Sequence, residues 1–391
     1  MNDVLLVVNA GSSSLKFSLF RIDEIPSVQT RGQVEAIGTD ARLVVSHGPG
    51  SRPSVRRLPE VRDLRGALTA FTEWLSEHYR DGMRLRGVGH RVVHGGVKYV
   101  RPVRISDHVL ADLHELVPLA PLHQPNNLGA IEAVIARFPD VPQVACFDTS
   151  FHRDQSRVAQ LIPLPREVVL LGVRRYGFHG LSYESVASVL PERAPEVARG
   201  RVVVAHLGSG ASLCAMKDGK SVDSSFSFTA LDGLCMATRP GALDPGVVLY
   251  LFQNLGLSAK DVETMLYRRS GLLGISGLSA DMRDLLASDH ADARLAIDYF
   301  VYRAMKELGG QAAVLGGIDG LVFTGGIGEN APDIRERICL ASAWLGIDLD
   351  RNANARGDAR ITTPQSRVSV WVIPTDEERM IARHTIELLE L

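Results

Sequence analysis

Two stretches, about two hundred residues apart, share one layout and narrow the folds open to this chain. Val4–Val8 is an apolar, β-branched run, Asn9-Ala-Gly-Ser-Ser-Ser14 is a small polar turn, and alternation resumes over Leu15–Phe20. The layout returns as Val202–Ala205, His206-Leu-Gly-Ser-Gly-Ala-Ser212 and Leu213–Met216, followed by the hairpin signal Lys217-Asp-Gly-Lys220. With 391 residues in the chain, one such hairpin opens each half, which predicts a duplicated domain.

Other strands alternate with helices. Val141–Phe147 reads as a strand that stops on Asp148, and Tyr299–Val314 reads as a helix. Gly316-Gly317 then leads to a strand at Leu321–Phe323 and to Gly325-Gly-Ile-Gly-Glu-Asn330. Val368–Ile373 is a late strand, after which Pro374 and Thr375 open a final helix, with Thr375 and Glu378 at capping-box spacing. This alternation predicts a layered α/β protein whose ligands sit beyond the carboxyl ends of strands. Asn9, Asp148, Ser209, Gly325 and Glu377 all fall just after such ends.

Composition excludes several classes. Apolar residues at 45% and charged residues at 23% are ordinary for a globular chain, and the length suits two domains. A net charge of −2 gives no overall field for nucleic acid or anionic lipid. The basic residues are six lysines and thirty-seven arginines, a bias that favours forked binding of oxyanions. Cys146, Cys214, Cys235 and Cys339 lack metal or disulfide spacing, so we expect buried free thiols in a reducing cytoplasm. Neither a secretory leader nor an apolar run of the ~18 residues needed to span a bilayer is evident.

Gly11 to Ser14 with Lys16 offers N–H groups and hydroxyls suited to phosphate oxygens, and His206 to Ser212 offers the same from the second half. Either turn alone is also an ordinary loop; the pair is the more specific signal. Gly219-Lys-Ser221 is not a Walker A loop, because Cys214 stands where the upstream glycine is required. His90 and His94 lie four apart, but Gly95-Gly96 and the missing glutamate argue against a zinc helix. Arg91 and Arg239 lie among apolar or glycine-rich neighbours, where burial calls for an anion, either a substrate or a structural carboxylate. Asp148 suits a turn and Glu377 a helix dipole; together with Asn9 they also make an oxygen set for Mg²⁺. His179, flanked by Gly177 and Gly180, lies where backbone and ligand can approach closely.

These strings resemble the acetate kinase (acetokinase) family. The resemblance rests on Asn9–Lys16, Gly89–Gly96, Pro118–His123, Phe147-Asp-Thr149, Arg175–Gly180, His206-Leu-Gly208, Ala237-Thr-Arg239, Asp244-Pro245, Ser279–Arg283, Gly325–Asn330 and Glu377-Glu378. They run in the family's order along the whole chain. The resemblance implies two duplicated ribonuclease-H-like (actin-like ATPase) domains with a cleft between them. One would comprise residues 1–148 with the C-terminal 379–391, the other residues 149–378. It further implies a homodimer acting on acetate and ATP, with Mg²⁺ or Mn²⁺ as cofactor.

Carried over motif by motif, Arg91 and Arg239 hold the carboxylate and the transferring phosphoryl group, and His179 hydrogen-bonds that group. Asp148, Glu377 and Asn9 organise the metal. Ser12, Lys16, His206, Gly208 and Gly210 meet the nucleotide phosphates, while Asp281, Met282, Arg283, Gly326, Ile327 and Asn330 border the adenosine. Val93, Leu122, Phe178 and Ala230 line the acyl pocket. The chain departs from the family pattern at Ser209, Gln124, Tyr183 and Ala230, which stand where Asn, Asn, His and Pro are usual. The expected reaction is acetate + ATP ⇌ acetyl phosphate + ADP by direct in-line transfer. Alternatives are propionate or butyrate as acceptor, Asp148 as a covalent phosphoryl acceptor, or an actin- or Hsp70-like ATPase switch.

Overall fold

The first hairpin forms because Val4 to Val8 are fully buried and β-branched at three of five positions, while glycine and serine at its tip release the chain to turn. The computed structural model describes residues 2–11, 14–24, 26–48, 50–78 and 83–391. Its strands are β1 (Asn2–Ala10), β2 (Leu15–Arg21), β3 (Ser27–Glu35), β4 (Arg42–His47), β5 (Ser54–Arg57), β6 (Met83–Val92), β7 (Val103–Arg104), β8 (Gln143–Phe147), β9 (Arg201–Leu207), β10 (Ala211–Lys217), β11 (Lys220–Ser224), β12 (Gly320–Thr324) and β13 (Ser369–Val372). The chain divides into two compact units, Met1–Ser150 with Asp376–Leu391, and Phe151–Thr375.

The duplication is visible in the sheets. The first unit orders its strands β5-β4-β3-β2-β1-β6-β8-β7, the second β11-β10-β9-β12-β13. In each, an antiparallel three-strand meander (β3-β2-β1, β11-β10-β9) continues into two strands parallel to its last member, β6 and β8 in one and β12 and β13 in the other. The first unit adds β4 and β5 beyond the meander and β7 at the opposite edge.

Side-chain packing fixes both registers. In the first unit Val4, Leu6 and Val8 face a core with Phe17, Phe71 and Trp74, whose rings lie 4.7 and 4.9 Å from Phe17. Gly32 on β3 is required here, since an added Cβ would fall 2.1 Å from Cζ of Phe17. In the second unit Val202, Val204 and Val322 pack with Tyr183 and Trp371.

The C-terminal helix Glu377–Leu389 lies on β6 of the first unit. Gly89 makes that possible: a Cβ there would stand 2.4 Å from Oγ1 of Thr385 and 2.6 Å from Cγ2 of Ile381. The sequence placed this helix's cap at Thr375, and the structure corrects that. Asp376 is the cap, its carboxylate accepting from the N–H of Arg379 at 3.1 Å. Glu378 instead accepts from Oγ of buried Ser18 at 2.7 Å, a partner 360 residues away that local spacing does not reveal. The helix read as Tyr299–Val314 runs Ala291–Leu315, because His290 caps an alanine-rich first turn. All four cysteines are buried and free.

Candidate active site

In the first unit, β1, β6 and β8 are neighbours, so Asn9, Arg91 and Asp148 meet at their carboxyl ends. Arg91 donates from Nε to Oδ1 of Asp148 at 3.0 Å and from Nη2 to Oδ2 at 2.6 Å. Its Nη1 donates to Oδ1 of Asn9 at 3.3 Å, and its Nε lies 3.8 Å from Oε2 of Glu377. The Asp148 side chain is 2% exposed. Burial works against the Arg91 charge, but Asp148 and then Glu377 outweigh it and hold the guanidinium above its ordinary pKa.

Asn9, Asp148 and Glu377 supply only hard oxygen donors, which suits Mg²⁺ held largely through water and phosphate. Among the described residues no three His, Cys, Asp or Glu side chains gather to hold a metal ion by themselves. An ion here would therefore take the amide of Asn9, water or phosphate as well. Lys16 is the cross-strand partner of Asn9, on the same face of the sheet, and is exposed. Ser12 lies outside the described residues, as does Ser13; at the turn's edges the N–H of Gly11 donates to the carbonyl of Ser14 at 2.8 Å.

The turn after β6 carries Val93, which is buried and donates its N–H to Asn127 at 3.0 Å. Gln124 holds the same turn through both its amide atoms, accepting from the N–H of His94 at 3.2 Å and donating to its carbonyl at 3.1 Å. Leu122 is half-buried just ahead of the helix Gln124–Arg137. The two histidines do not form a metal pair. His90 donates from Nε2 to Oε1 of Gln143 at 2.6 Å and is pushed down to about 4 by burial, while Nδ1 of His94 accepts from the N–H of Gly96.

The second unit has its own constellation around the β9–β10 turn, where the N–H of Gly208 donates to the carbonyl of Gly210 at 3.0 Å. His179 precedes the helix Gly180–Arg193 in a left-handed conformation, φ 56°. Its Nδ1 lies 2.9 Å from Oγ of Ser212, and its ring is 4.1 Å from that of His206, whose Nδ1 is 2.8 Å from Oγ of Ser182. Arg239 donates from Nη1 to the carbonyl of Ala230 at 2.7 Å and lies over Phe226 at 5.9 Å. A Cβ on Gly210 would stand 2.6 Å from Nη2 of Arg239 and 3.2 Å from Nε2 of His179, so these two cationic or polar tips border the same glycine. Phe178 is buried with its ring edge-on to Phe226.

β12 runs into the short helix Gly325–Asn330, which neighbours the same turn: a Cβ on Gly208 would lie 3.8 Å from the N of Gly326. Gly326 and Asn330 are exposed and Ile327 half-buried. Glu329 accepts from the N–H of Gly325 at 2.9 Å, and buried Arg335 donates to the carbonyls of Gly328 and Glu329 at 2.9 and 2.8 Å. Asp281 caps the helix Met282–Leu286 and is gripped by exposed Arg283 through two hydrogen bonds, which hold its carboxyl down at about 2. Met282 is buried.

Sequence reasoning missed Ser182, Glu329 and Arg335, and it read Ser212 as a phosphate-turn hydroxyl without its contact to His179. Aligning the two hairpins offers a signal for Ser212, the cross-strand partner of His206. Arg335 shares a helical face with buried Ile338 three residues on, a place where an arginine needs partners.

A family model described as the acetokinase family matches residues 4–383. The acetate kinase of Nitrobacter hamburgensis is 53% identical over 394 residues, covering 99% of this chain and 96% of that protein. The crystal structure of Porphyromonas gingivalis acetate kinase superposes with a TM-score of 0.87 at 37% identity, covering 99% of this chain and 100% of that one. A propionate kinase from Francisella tularensis gives 0.91 at 36% identity, covering 98% and 99%.

Proposed function

Since this chain belongs to the acetokinase family, we propose that it transfers the γ-phosphoryl group of ATP reversibly to the carboxylate of acetate, giving acetyl phosphate and ADP. The observation that carries this reading at the residue level is Arg91, held charged between Asp148, Asn9 and Glu377 at the ends of three adjacent strands. A carboxylate is already a nucleophile near neutral pH, so the reaction needs no strong base. It needs two anions brought together, and that calls for arginine and a cation.

One carboxylate oxygen attacks the γ-phosphorus in line, a new O–P bond forms, and the bond to the bridging β–γ oxygen breaks with its electron pair leaving on ADP. Arg91 and Arg239 hold the two anions, and His179 donates a hydrogen bond to the transferring group. His206, Gly208 and Gly210, with Lys16 and Ser12, contact the nucleotide phosphates. Asp281, Met282, Arg283, Gly326, Ile327 and Asn330 border the adenosine, while Val93, Leu122 and Phe178 surround the acyl methyl. Asn9, Asp148 and Glu377 would hold Mg²⁺ or Mn²⁺, which when bound shields phosphate charge.

Acceptor length is the point on which a second reading has support, because the propionate kinase structure superposes as well as the acetate kinase structure, at nearly the same identity. An ATPase switch lacks such support. We further propose a homodimer: the helix Pro245–Gln253 exposes Val247, Leu249, Tyr250 and Phe252 and buries only Leu251 fully. No described helix is long and apolar enough to cross a membrane, and we place the enzyme in the cytoplasm, where ATP is made and used. The test is hydroxylamine trapping of acyl phosphate from ATP with acetate, propionate and butyrate. Acetate-dependent trapping supports the proposal, and ATP hydrolysis that ignores the carboxylate removes it.

A further inference from the structure

Tyr183 occupies a position that the reaction described above leaves without a role. It lies in the helix Gly180–Arg193, fully buried, with its hydroxyl 2.5 Å from Oγ of Ser212. Ser212, also fully buried, is in turn 2.9 Å from Nδ1 of His179. Three side chains from a helix, a strand and a cap residue thus form one chain of hydrogen bonds ending on the imidazole.

The direction of that chain follows from counting protons. Burial raises the Tyr183 phenol well above 10, so it keeps its proton. Among the described residues Ser212 Oγ is its one hydrogen-bond partner, so the phenol donates and the serine oxygen accepts. A serine hydroxyl has a single proton of its own. With Tyr183 already donating to that oxygen, the serine proton is directed to Nδ1 of His179, its other hydrogen-bond partner among the described residues. Nδ1 then accepts, and a neutral imidazole must carry its proton on Nε2. That is the nitrogen 3.2 Å from where a Cβ of Gly210 would stand, beside Nη2 of Arg239.

We propose that Tyr183 acts through Ser212 as a positioning residue that fixes His179 in the Nε2–H form, so that it presents a donor toward the Arg239 side of Gly210. The relay deepens the kinase reading and rests on it for the purpose of that donor. Without the phenol, Ser212 can turn its proton either way, and the imidazole is free to hold its proton on Nδ1 with Nε2 facing the site as an acceptor. An acceptor there repels phosphate oxygen instead of binding it.

Nitrogen-15 spectra of the histidine-labelled full chain read the tautomer without turnover. The wild type should show His179 with a protonated Nε2 and an accepting Nδ1, and Tyr183→Phe and Ser212→Ala should both show a mixture. Steady-state kinetics of the two variants should show kcat lowered by ~10–100-fold, the range typical of partners that orient a functional group, with KM for ATP and acetate changed less than threefold. A wild-type His179 protonated on Nδ1, or a Tyr183→Phe spectrum identical to wild type, overturns the relay. Since the spectra need no substrate, a wild-type enzyme that makes no acyl phosphate would count against the kinase reading alone.

Discussion

Arg91 and Asp148 meet through two parallel hydrogen bonds, Nε to Oδ1 and Nη2 to Oδ2, with the carboxylate almost wholly buried. Such a fork-to-fork pair fixes orientation as well as charge, so the guanidinium plane is set before any ligand arrives.

The pair makes the first prediction. Truncating Arg91 leaves a buried carboxylate without its main partner, and Arg91→Ala should cost roughly 2–4 kcal/mol of stability in addition to activity. Arg91→Lys keeps the charge but not the fork, and should regain stability better than turnover. Chemical unfolding of the three proteins, set beside their kcat, measures the split. Equal stability of Arg91→Ala and wild type would mean that Asp148 is compensated elsewhere.

Glu377 gives the second. It stands in the first turn of its helix, 3.8 Å from Arg91 and partly exposed, so losing it costs the fold ~0.3–1 kcal/mol of helix-dipole stabilisation. Glu377→Ala should therefore stay folded while its turnover drops and the Mg²⁺ concentration for half-maximal rate rises. Titrating rate against Mg²⁺, with a thermal melt as control, tests this. An unchanged Mg²⁺ dependence removes Glu377 from the metal set.

The site was legible in the sequence to the extent that its residues gather at strand ends, although Asn9 and His206, read as lying just past a strand, are the next-to-last residues of β1 and β9 themselves. Val4–Val8 and Val202–Ala205 announce strands by β-branching, and glycine and serine announce where each stops, so Asn9 and His206 could be placed without knowing the pairing. What ties such pieces together was not legible. Ser18 and Glu378 are 360 residues apart, and β3 shows no clean apolar alternation because only Thr30 and Val34 of its nine residues are buried. The cap at Asp376 was misread for the opposite reason. Local spacing favoured Thr375–Glu378, but Ser18 recruits Glu378 and Asp376 takes the helix N–H.

Acyl length is the third prediction. Buried Val93 should close around a methyl, while Ala230 lacks the ring of the proline usual in the family. One methylene in an apolar pocket is worth only ~1–3 kcal/mol, so acetate should be best and propionate usable within roughly a hundredfold in kcat/KM. Trapping rates across the three acids measure it, and a kcat/KM for butyrate above that for acetate would overturn acetate as the acceptor.

Two buried histidines make stability depend on pH. His90 and His152 are lowered by burial from 6.5 to about 4, so the unfolded chain binds their protons first as the solution is acidified. Their neutral forms are fully accommodated above pH 6.5, and folding stability falls as pH drops from there toward 4, by at most roughly 3 kcal/mol per group. Asp223 and Glu307, raised by burial, act in the opposite sense because the folded state takes up their protons. Unfolding free energies of wild type and His152→Gln between pH 7 and 5 separate the two effects. The variant should lose less on acidification, and parallel curves would show that His152 is not the group responsible.

Arg239 decides between binding and catalysis. Its Nη1 is tethered to the carbonyl of Ala230 and its plane lies over Phe226, leaving Nη2 directed to the glycine that His179 also borders. If Arg239 only docks acetate, Arg239→Ala should raise KM for acetate and leave kcat nearly intact. If it meets charge on the transferring phosphoryl group, the loss falls on kcat, and an arginine in that role is worth ~10³–10⁵ in rate. We expect the lower end of that range, because Arg91 and the cation share the charge. Arg239→Lys should rescue poorly, since an ammonium cannot keep the Ala230 tether and reach the phosphoryl oxygen at once. Gly210→Ala offers an independent route to the same question: its methyl would press on Nη2 of Arg239 at 2.6 Å and on Nε2 of His179 at 3.2 Å, displacing both without removing either. It should lower kcat in a protein whose melting point is close to wild type. Should folded Arg239→Ala keep kcat within tenfold while only KM for acetate rises, Arg239 is a docking residue and the charge on the transferring group is met by others.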